Sequence, residues 1–248
     1  MTVSTPLFTL NPSLDAADLA ARFAEQKRLQ IRDLLTQQSA EQLTRTLMER
    51  APWGLSWQAK DDGPHKLRKE DVARLGQQEM QTIFGKLNQA MREGHFAFVY
   101  GQYQMYDALK DGWSGGSPLD DVIRAMNAPP FLDLIREVTG LPQITWCDAQ
   151  ATHFGPGQFL SFHQDINEAQ DWLVAYVLNL CPGIWRPDWG GYLNFFDKEG
   201  DIVAGYRPRF NALNIFRVPQ DHHVSYVPNF ATPNRLAITG WFRGTARA

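Results

Sequence analysis

From His153 onward the chain is a run of short apolar segments, each closed by glycine, proline, asparagine or aspartate, and this restricts its folding more than any other feature. FGPGQFLSF, WLVAYVLNL, GGYLNFF, FNALNIFRV, HHVSYV and RLAITGWF are rich in β-branched and aromatic residues and short for packed helices. Many short strands with a turn signal between each pair predict a closed sandwich or jelly roll. That form leaves an interior where side chains from several strands converge.

Two potential metal ligands fall inside this run. His163 and Asp165 are two residues apart, so on a strand they face the same side. A second histidine, His222 or His223, follows after several strands. Two neutral imidazoles and a carboxylate on one face of a metal, with the remaining positions open, suit non-haem Fe(II) oxygenases. An isolated His-x-Asp pair on a strand is more often a hydrogen-bonded surface pair, and it is the ordered strands around this one that favour the metal reading.

In their order, GPGQFLSFHQD, WLVAYVLNL, GGYLNFFD, FNALNIFRV, HHVSYV and RLAITGWF resemble the catalytic core of the 2-oxoglutarate and Fe(II)-dependent dioxygenases. Within that superfamily the prolyl-hydroxylase-like group, which includes the ribosomal-protein prolyl hydroxylases, is the most similar. The resemblance implies an α+β chain with a double-stranded β-helix core of the cupin-like, jelly-roll kind, buttressed by N-terminal helices. It implies Fe(II) with 2-oxoglutarate and O2 as co-substrates, and His163, Asp165 and one of the adjacent histidines as catalytic metal ligands. Neighbouring residues on a strand face opposite sides, so only one of His222 and His223 reaches the metal. The family spacing H-x-V-x-x-V fits with His222 as ligand and Val224 and Val227 as the valines.

Arg235 opens the segment resembling the last core strand, where the family's arginine grips the remote carboxylate of 2-oxoglutarate. Guanidinium can hold a carboxylate bidentately where lysine offers a point charge. Thr239, four residues on, shares its face and is expected to support the co-substrate. Asn179 stands where many prolyl hydroxylases carry a tyrosine that touches the co-substrate, Phe154 likewise replaces a common tyrosine, and Tyr176 is a candidate to supply a hydroxyl instead. Asp165, where alanine or glycine would open a position for halide, implies hydroxylation rather than halogenation. The implied reaction hydroxylates a prolyl residue in a protein or peptide substrate and releases succinate and CO2. Hydroxylation of a free amino acid or another small molecule is the second reading. A metal-binding β-helix module without turnover is the third, and the ligand set together with Arg235 weighs against it.

The 248 residues suffice for a single domain, with 1–140 as a mainly helical flank with some strands and 141–248 as the catalytic core. With 24 basic and 27 acidic residues the formal net charge is −3, which implies neither a nucleic-acid nor a membrane partner. No apolar run approaches the ~18 residues of a membrane span, and the first residues lack a signal-peptide pattern, so a cytoplasmic protein is expected. Cys147 and Cys181 lie in apolar contexts and are expected to be buried, reduced thiols.

In the flank, SLDAADLAARFAEQ predicts a helix capped by Ser13, RLQIRDLL a strand, and SAEQLTRTLMER a helix capped by Ser39. The segment from Gly63 to Gly94 predicts one long helical stretch, and SPLDDVIRAMNAPPFLDLIREVTG helices broken at Pro129-Pro130. The aromatic stretch 98–118 is expected to be a mobile loop. Its tyrosines Tyr100, Tyr103 and Tyr106 and its Trp113, together with Trp185, Trp189 and Tyr192, are candidates to line a substrate groove.

Overall fold

The computed structural model describes residues 6–166, 169, 171–232 and 235–244. The expected strands form on the expected segments: β7 (Phe159–His163), β8 (Trp172–Asn179), β9 (Leu193–Phe196), β11 (Ala212–Arg217), β12 (His222–Val224) and β13 (Arg235–Arg243); three more that the sequence reading did not name, the short β5 (Trp146–Cys147), β6 (Gln150–Phe154) and β10 (Ile202–Tyr206), join them. N-terminal strands β1 (Arg28–Arg32) and β4 (Ala97–Tyr103) extend this sheet, giving the order β1-β11-β8-β13-β6-β4-β7-β12-β9-β10. The sheet turns back on itself into a nearly closed antiparallel barrel, the double-stranded β-helix implied by the resemblance. Residues on its two walls alternate between an inner and an outer face, with register shifts near Val203, His223 and Phe242.

The outer face of the wall from β1 to β6 packs on helices. Leu29, Ile31, Val174, Tyr176, Leu178, Leu213, Ile215, Ile238 and Phe242 join Phe23, Leu43, Leu47, Ile123, Phe131 and Ile135 in the largest apolar core. The helices are α1 (Ala16–Gln26), α2 (Gln37–Arg50), α5 (Met105–Lys110), α6 (Leu119–Met126) and α7 (Pro129–Thr139). Each fully buried large apolar side chain contributes about 1.5 to 3 kcal/mol, so this face anchors the wall that carries the site. Among the described residues no helix is long and apolar enough to cross a membrane, and both cysteines are buried with no disulfide between them.

Several local expectations are corrected. Asp15, not Ser13, caps α1, because its carboxylate reaches the Asp18 amide at 3.0 Å while the Ser13 amide is taken by Asn11. Thr36, not Ser39, caps α2, and Ser39 lies inside the helix with its hydroxyl on the Pro6 carbonyl. The stretch after Gly63 is not one helix. Its start forms β3 (Asp62–Leu67), paired with β2 (Gly54–Ala59), and the helix pattern resumes only in the short α3 (Lys69–Val72) and in α4 (Gln77–Arg92). Gly63-Pro64 disfavours a helix there, and pairing with a preformed neighbour outweighs the weak propensity of HKL. The supposed loop from Phe98 is the fully buried β4 followed by α5; alternation in AFVYGQY is a strand signal that its glycine and aromatic content obscured. The break at Pro129-Pro130 holds, with Pro129 opening α7, where its missing N–H is harmless.

Candidate active site

Antiparallel pairing of β12 with β7 sets His222 directly opposite His163, and Asp165 follows two residues beyond the end of β7. His163 Nε2 lies 3.5 Å from Asp165 Oδ1 and His222 Nε2 3.6 Å from Asp165 Oδ2, with the ring centroids 4.1 Å apart. One ligand atom from each of the three lies within 4.8 Å of the others, the only such group among the described residues. Both imidazoles are oriented from behind: His163 Nδ1 donates to the Ser161 carbonyl and His222 Nδ1 to the Gln220 carbonyl, each at 2.8 Å. These bonds fix the tautomer and aim both Nε2 lone pairs at the shared centre, as metal-binding histidines require.

Electrostatics agree with a ligand set. Burial, reinforced by the charge of His163, lowers His222 to about 4, so its imidazole is neutral and ready to coordinate. Burial alone would raise Asp165, yet the His163 contact and the charges of His222 and His163 outweigh it and hold the carboxyl below its ordinary range. The Trp241 indole acts in the same direction, although its buried N–H lies outside ordinary hydrogen-bond geometry with any partner. His223 points the other way, accepts from the Asn194 amide at 2.9 Å and stands edge-on to Phe196.

The three groups open on a cavity of about 730 Å3 that also receives Arg235 and Thr239 from the inner face of β13. Arg235 is 1% exposed, its guanidinium lies over the Phe154 ring at 5.0 Å, and its Nε is buried without a partner. Burial lowers it to about 10, so it remains a cation, and it has no ion pair among the described residues. A buried, unpaired cation in an apolar wall is costly and calls for an anionic ligand. The donor set and the orphaned arginine fit Fe(II) and a dicarboxylate. Tyr176 borders the cavity beside Gly240 but projects from the helix-facing side of β8, its hydroxyl donated to the Asp148 carbonyl at 2.6 Å. Asn179 does not line the cavity; its amide donates to the Val177 and Ala212 carbonyls.

Sequence reasoning reached the opposite wall only through the tyrosines of the stretch 98–118, which it took for a loop. From β2 and β4 come Ser56, Gln58, Phe98, Tyr100 and Gln102, and from the strand ends Trp172 and Trp241, stacked at 4.0 Å. Tyr100 faces Ser56 and Gln150, and burial raises it to about 12, so it is a neutral hydroxyl donor. Period-two reading of FVYGQY would have placed Phe98, Tyr100 and Gln102 on one face. Of the aromatic residues first considered for substrate, Tyr100 and Tyr106 line this cavity, whereas Trp113 is covered by Arg68 at 4.0 Å and Tyr103, and Trp185 is buried with its indole N–H on the Gly190 carbonyl.

Residues 149–243 match the sequence profile of the 2OG-Fe(II) oxygenase superfamily. No curated protein matches the chain. Among solved structures, a prolyl-4-hydroxylase from Pseudomonas putida is 19% identical, covers 94% of this chain and 100% of its own, and superposes with a TM-score of 0.59. An oxidoreductase of the 2OG-Fe(II) oxygenase family from Burkholderia pseudomallei is 11% identical over 97% of this chain and 96% of its own, with a TM-score of 0.61. A prolyl hydroxylase from Trichoplax adhaerens, in complex with a peptide fragment of the hypoxia inducible factor oxygen degradation domain, is 15% identical over 92% and 89%, with a TM-score of 0.59. The matched segment, 149–243, carries the triad and Arg235, and the three solved structures share the fold of this chain.

Proposed function

We propose that this enzyme hydroxylates a prolyl residue of a protein or peptide, with His163, Asp165 and His222 as metal ligands and Arg235 as the anchor for the remote carboxylate of 2-oxoglutarate. The observation that carries the reading is the unpartnered, buried guanidinium of Arg235 in the same cavity as the triad. Bound at the triad, Fe(II) would supply the activation of O2 and the oxidation of an unreactive C–H bond, coupled to decarboxylation of 2-oxoglutarate to succinate and CO2. The chain's own part is to bind and orient. Ser161 and Gln220 hold the imidazoles, Arg235 with Thr239 fixes the co-substrate's far end, and Phe154, Phe216 and Val224 keep that end dry. Neutral Tyr100 offers a hydroxyl to the bound ligands, since the Tyr176 hydroxyl is donated to the Asp148 carbonyl and the Asn179 amide to those of Val177 and Ala212.

A polypeptide substrate is supported by the likeness of fold to two prolyl hydroxylases, one of them in complex with a peptide fragment, and by a cavity that runs past the triad to Lys66, Asp107 and Lys110. The helical flank and the core act as one catalytic unit, because β1 and β4 are built into the barrel itself. Two buried cysteines without a disulfide agree with a cytoplasmic setting. The test is to incubate the enzyme with Fe(II), 2-oxoglutarate and a lysate of its host and to search tryptic peptides for proline carrying one added oxygen. Modified peptides that vanish without 2-oxoglutarate are expected; turnover of free proline or another small acid, with no modified peptide, would replace the protein substrate by a metabolite.

A further inference from the structure

A second cavity, of about 900 Å3, shares no lining residue with the first. It lies at the seam of the barrel, between the free edge of β1 on one wall and the end of β10 on the other, with α1 along its side. Its charged side chains are Asp15, Asp18, Arg22, Arg32, Arg207 and Arg209. The two carboxylates are already engaged: Asp15 caps α1 and Asp18 holds Arg22 at 3.1 Å. Arg32, Arg207 and Arg209 form no ion pair among the described residues.

Three guanidinium groups so gathered repel one another, and the effect is visible at Arg209, which is lowered by burial and then by the charges of Arg207 and Arg32. The cluster is nonetheless held in place. Gln30 spans the seam, accepting from Arg209 Nε at 2.9 Å and donating to the Arg207 carbonyl at 3.2 Å and to Asn214 at 2.9 Å. Arg207 Nε is buried and has no partner. Tyr192 and Tyr206 add phenol groups to the same wall. The cleft therefore presents converging, planar, multidentate donors, positive charge without its counterpart, and room for a small molecule.

We propose that this seam cleft binds a small polyanion, a phosphate-bearing molecule or a compound with several carboxylates, at a site separate from that of 2-oxoglutarate. Arg207 and Arg209 grip the oxyanion from the β10–β11 corner and Arg32 closes on it from β1, so that occupancy ties the two walls of the barrel together where no strand pairing does.

Calorimetric titration of the metal-free protein at low ionic strength, with pyrophosphate and with citrate as probes, tests this. One-to-one saturable binding of at least one probe is expected, and the tighter probe tells phosphate from polycarboxylate. In Arg207→Gln/Arg209→Gln the dissociation constant should rise at least about tenfold, the loss expected on removing charge-assisted hydrogen bonds. Arg32→Gln, which leaves the Gln30 frame intact, should weaken binding in the same direction. Arg235→Lys should leave it unchanged, which separates this cleft from the co-substrate site. Retained turnover of 2-oxoglutarate in the double variant shows that it is folded. The proposal is overturned if neither probe binds saturably, if the double variant binds as the wild type does, or if Arg235→Lys abolishes the binding.

Discussion

Two histidines on neighbouring parts of the barrel share one acid–base property and differ in everything else. His222, on the inner face of β12, and His153, on the outer face of β6, are both lowered to about 4 by burial. His222 has Nδ1 bonded to a carbonyl and Nε2 turned to Asp165. His153 has Nδ1 buried without a partner and meets Trp53 edge-on at 4.8 Å, filling the space left by Gly101. Burial is thus the largest cause of the same shift at a proposed ligand and at a packing residue. What separates them is the set of partners, which in one case converges on a point and in the other stops at the ring.

The largest expected difference is in turnover. His222→Ala removes one of three proposed metal ligands, and iron-dependent consumption of 2-oxoglutarate should fall to background, with loss of stoichiometric metal binding. His223→Ala and His153→Leu should keep most of the activity, because neither ring faces the triad. Loss of metal in His223→Ala with retention in His222→Ala would reverse the reading of β12. Next in size is the co-substrate anchor. Arg235→Lys keeps the charge but forfeits the fork, so affinity for 2-oxoglutarate should drop by about 1.5 to 3 kcal/mol while metal binding is unchanged. Unchanged affinity in a titration would place the dicarboxylate elsewhere.

The inner face was legible in the sequence to the extent that its signal is local. His163 and Asp165 are two residues apart and Arg235 opens an alternating strand, so their shared direction follows from strand geometry alone. Choosing His222 over His223 needed the valine spacing of a family, since alternation fixes that they diverge and not which one turns inward. Tyr100 and Gln102 were obscured because their strand comes from the N-terminal half and enters the barrel between β6 and β7, a pairing across the chain that no short window contains. The same holds for the seam cleft, which joins β1 to residues near 207; β3 was missed for a different reason, its local hairpin partner overriding the helical appearance of its end. Trp113 and Trp185 illustrate the reverse error: aromatic content in a loop was taken as a groove, whereas both rings serve packing.

The outer-face histidine has its own signature, in stability. Its pKa in the fold, about 4, lies below the ordinary 6.5, so the unfolded chain binds the additional proton between these values. Stability is therefore full above about pH 6.5 and declines as pH falls toward 4, by at most about 3 kcal/mol for one such group. Denaturant unfolding of the metal-free protein across this range should show the decline, and His153→Leu should flatten it. An identical slope in the variant would assign the whole effect to other groups.

The smallest effects come from two glycines that share a residue type and not a setting. A Cβ on Gly101 would lie 2.0 Å from His153 Nε2, whereas one on Gly85, exposed in α4, meets nothing within 4 Å. Gly101→Ala must displace a ring wedged against Trp53 and should destabilise by about 1 to 3 kcal/mol, the usual range for overpacking. Gly85→Ala adds only helix propensity and should stabilise by about 0.5 to 1 kcal/mol. If the ring is the obstacle, His153→Ala combined with Gly101→Ala should be less destabilised than the two single changes added together, the mark of direct contact in a double-mutant cycle. Strict additivity would mean that the cost at Gly101 arises in the β4 backbone, and would remove the packing role assigned to His153.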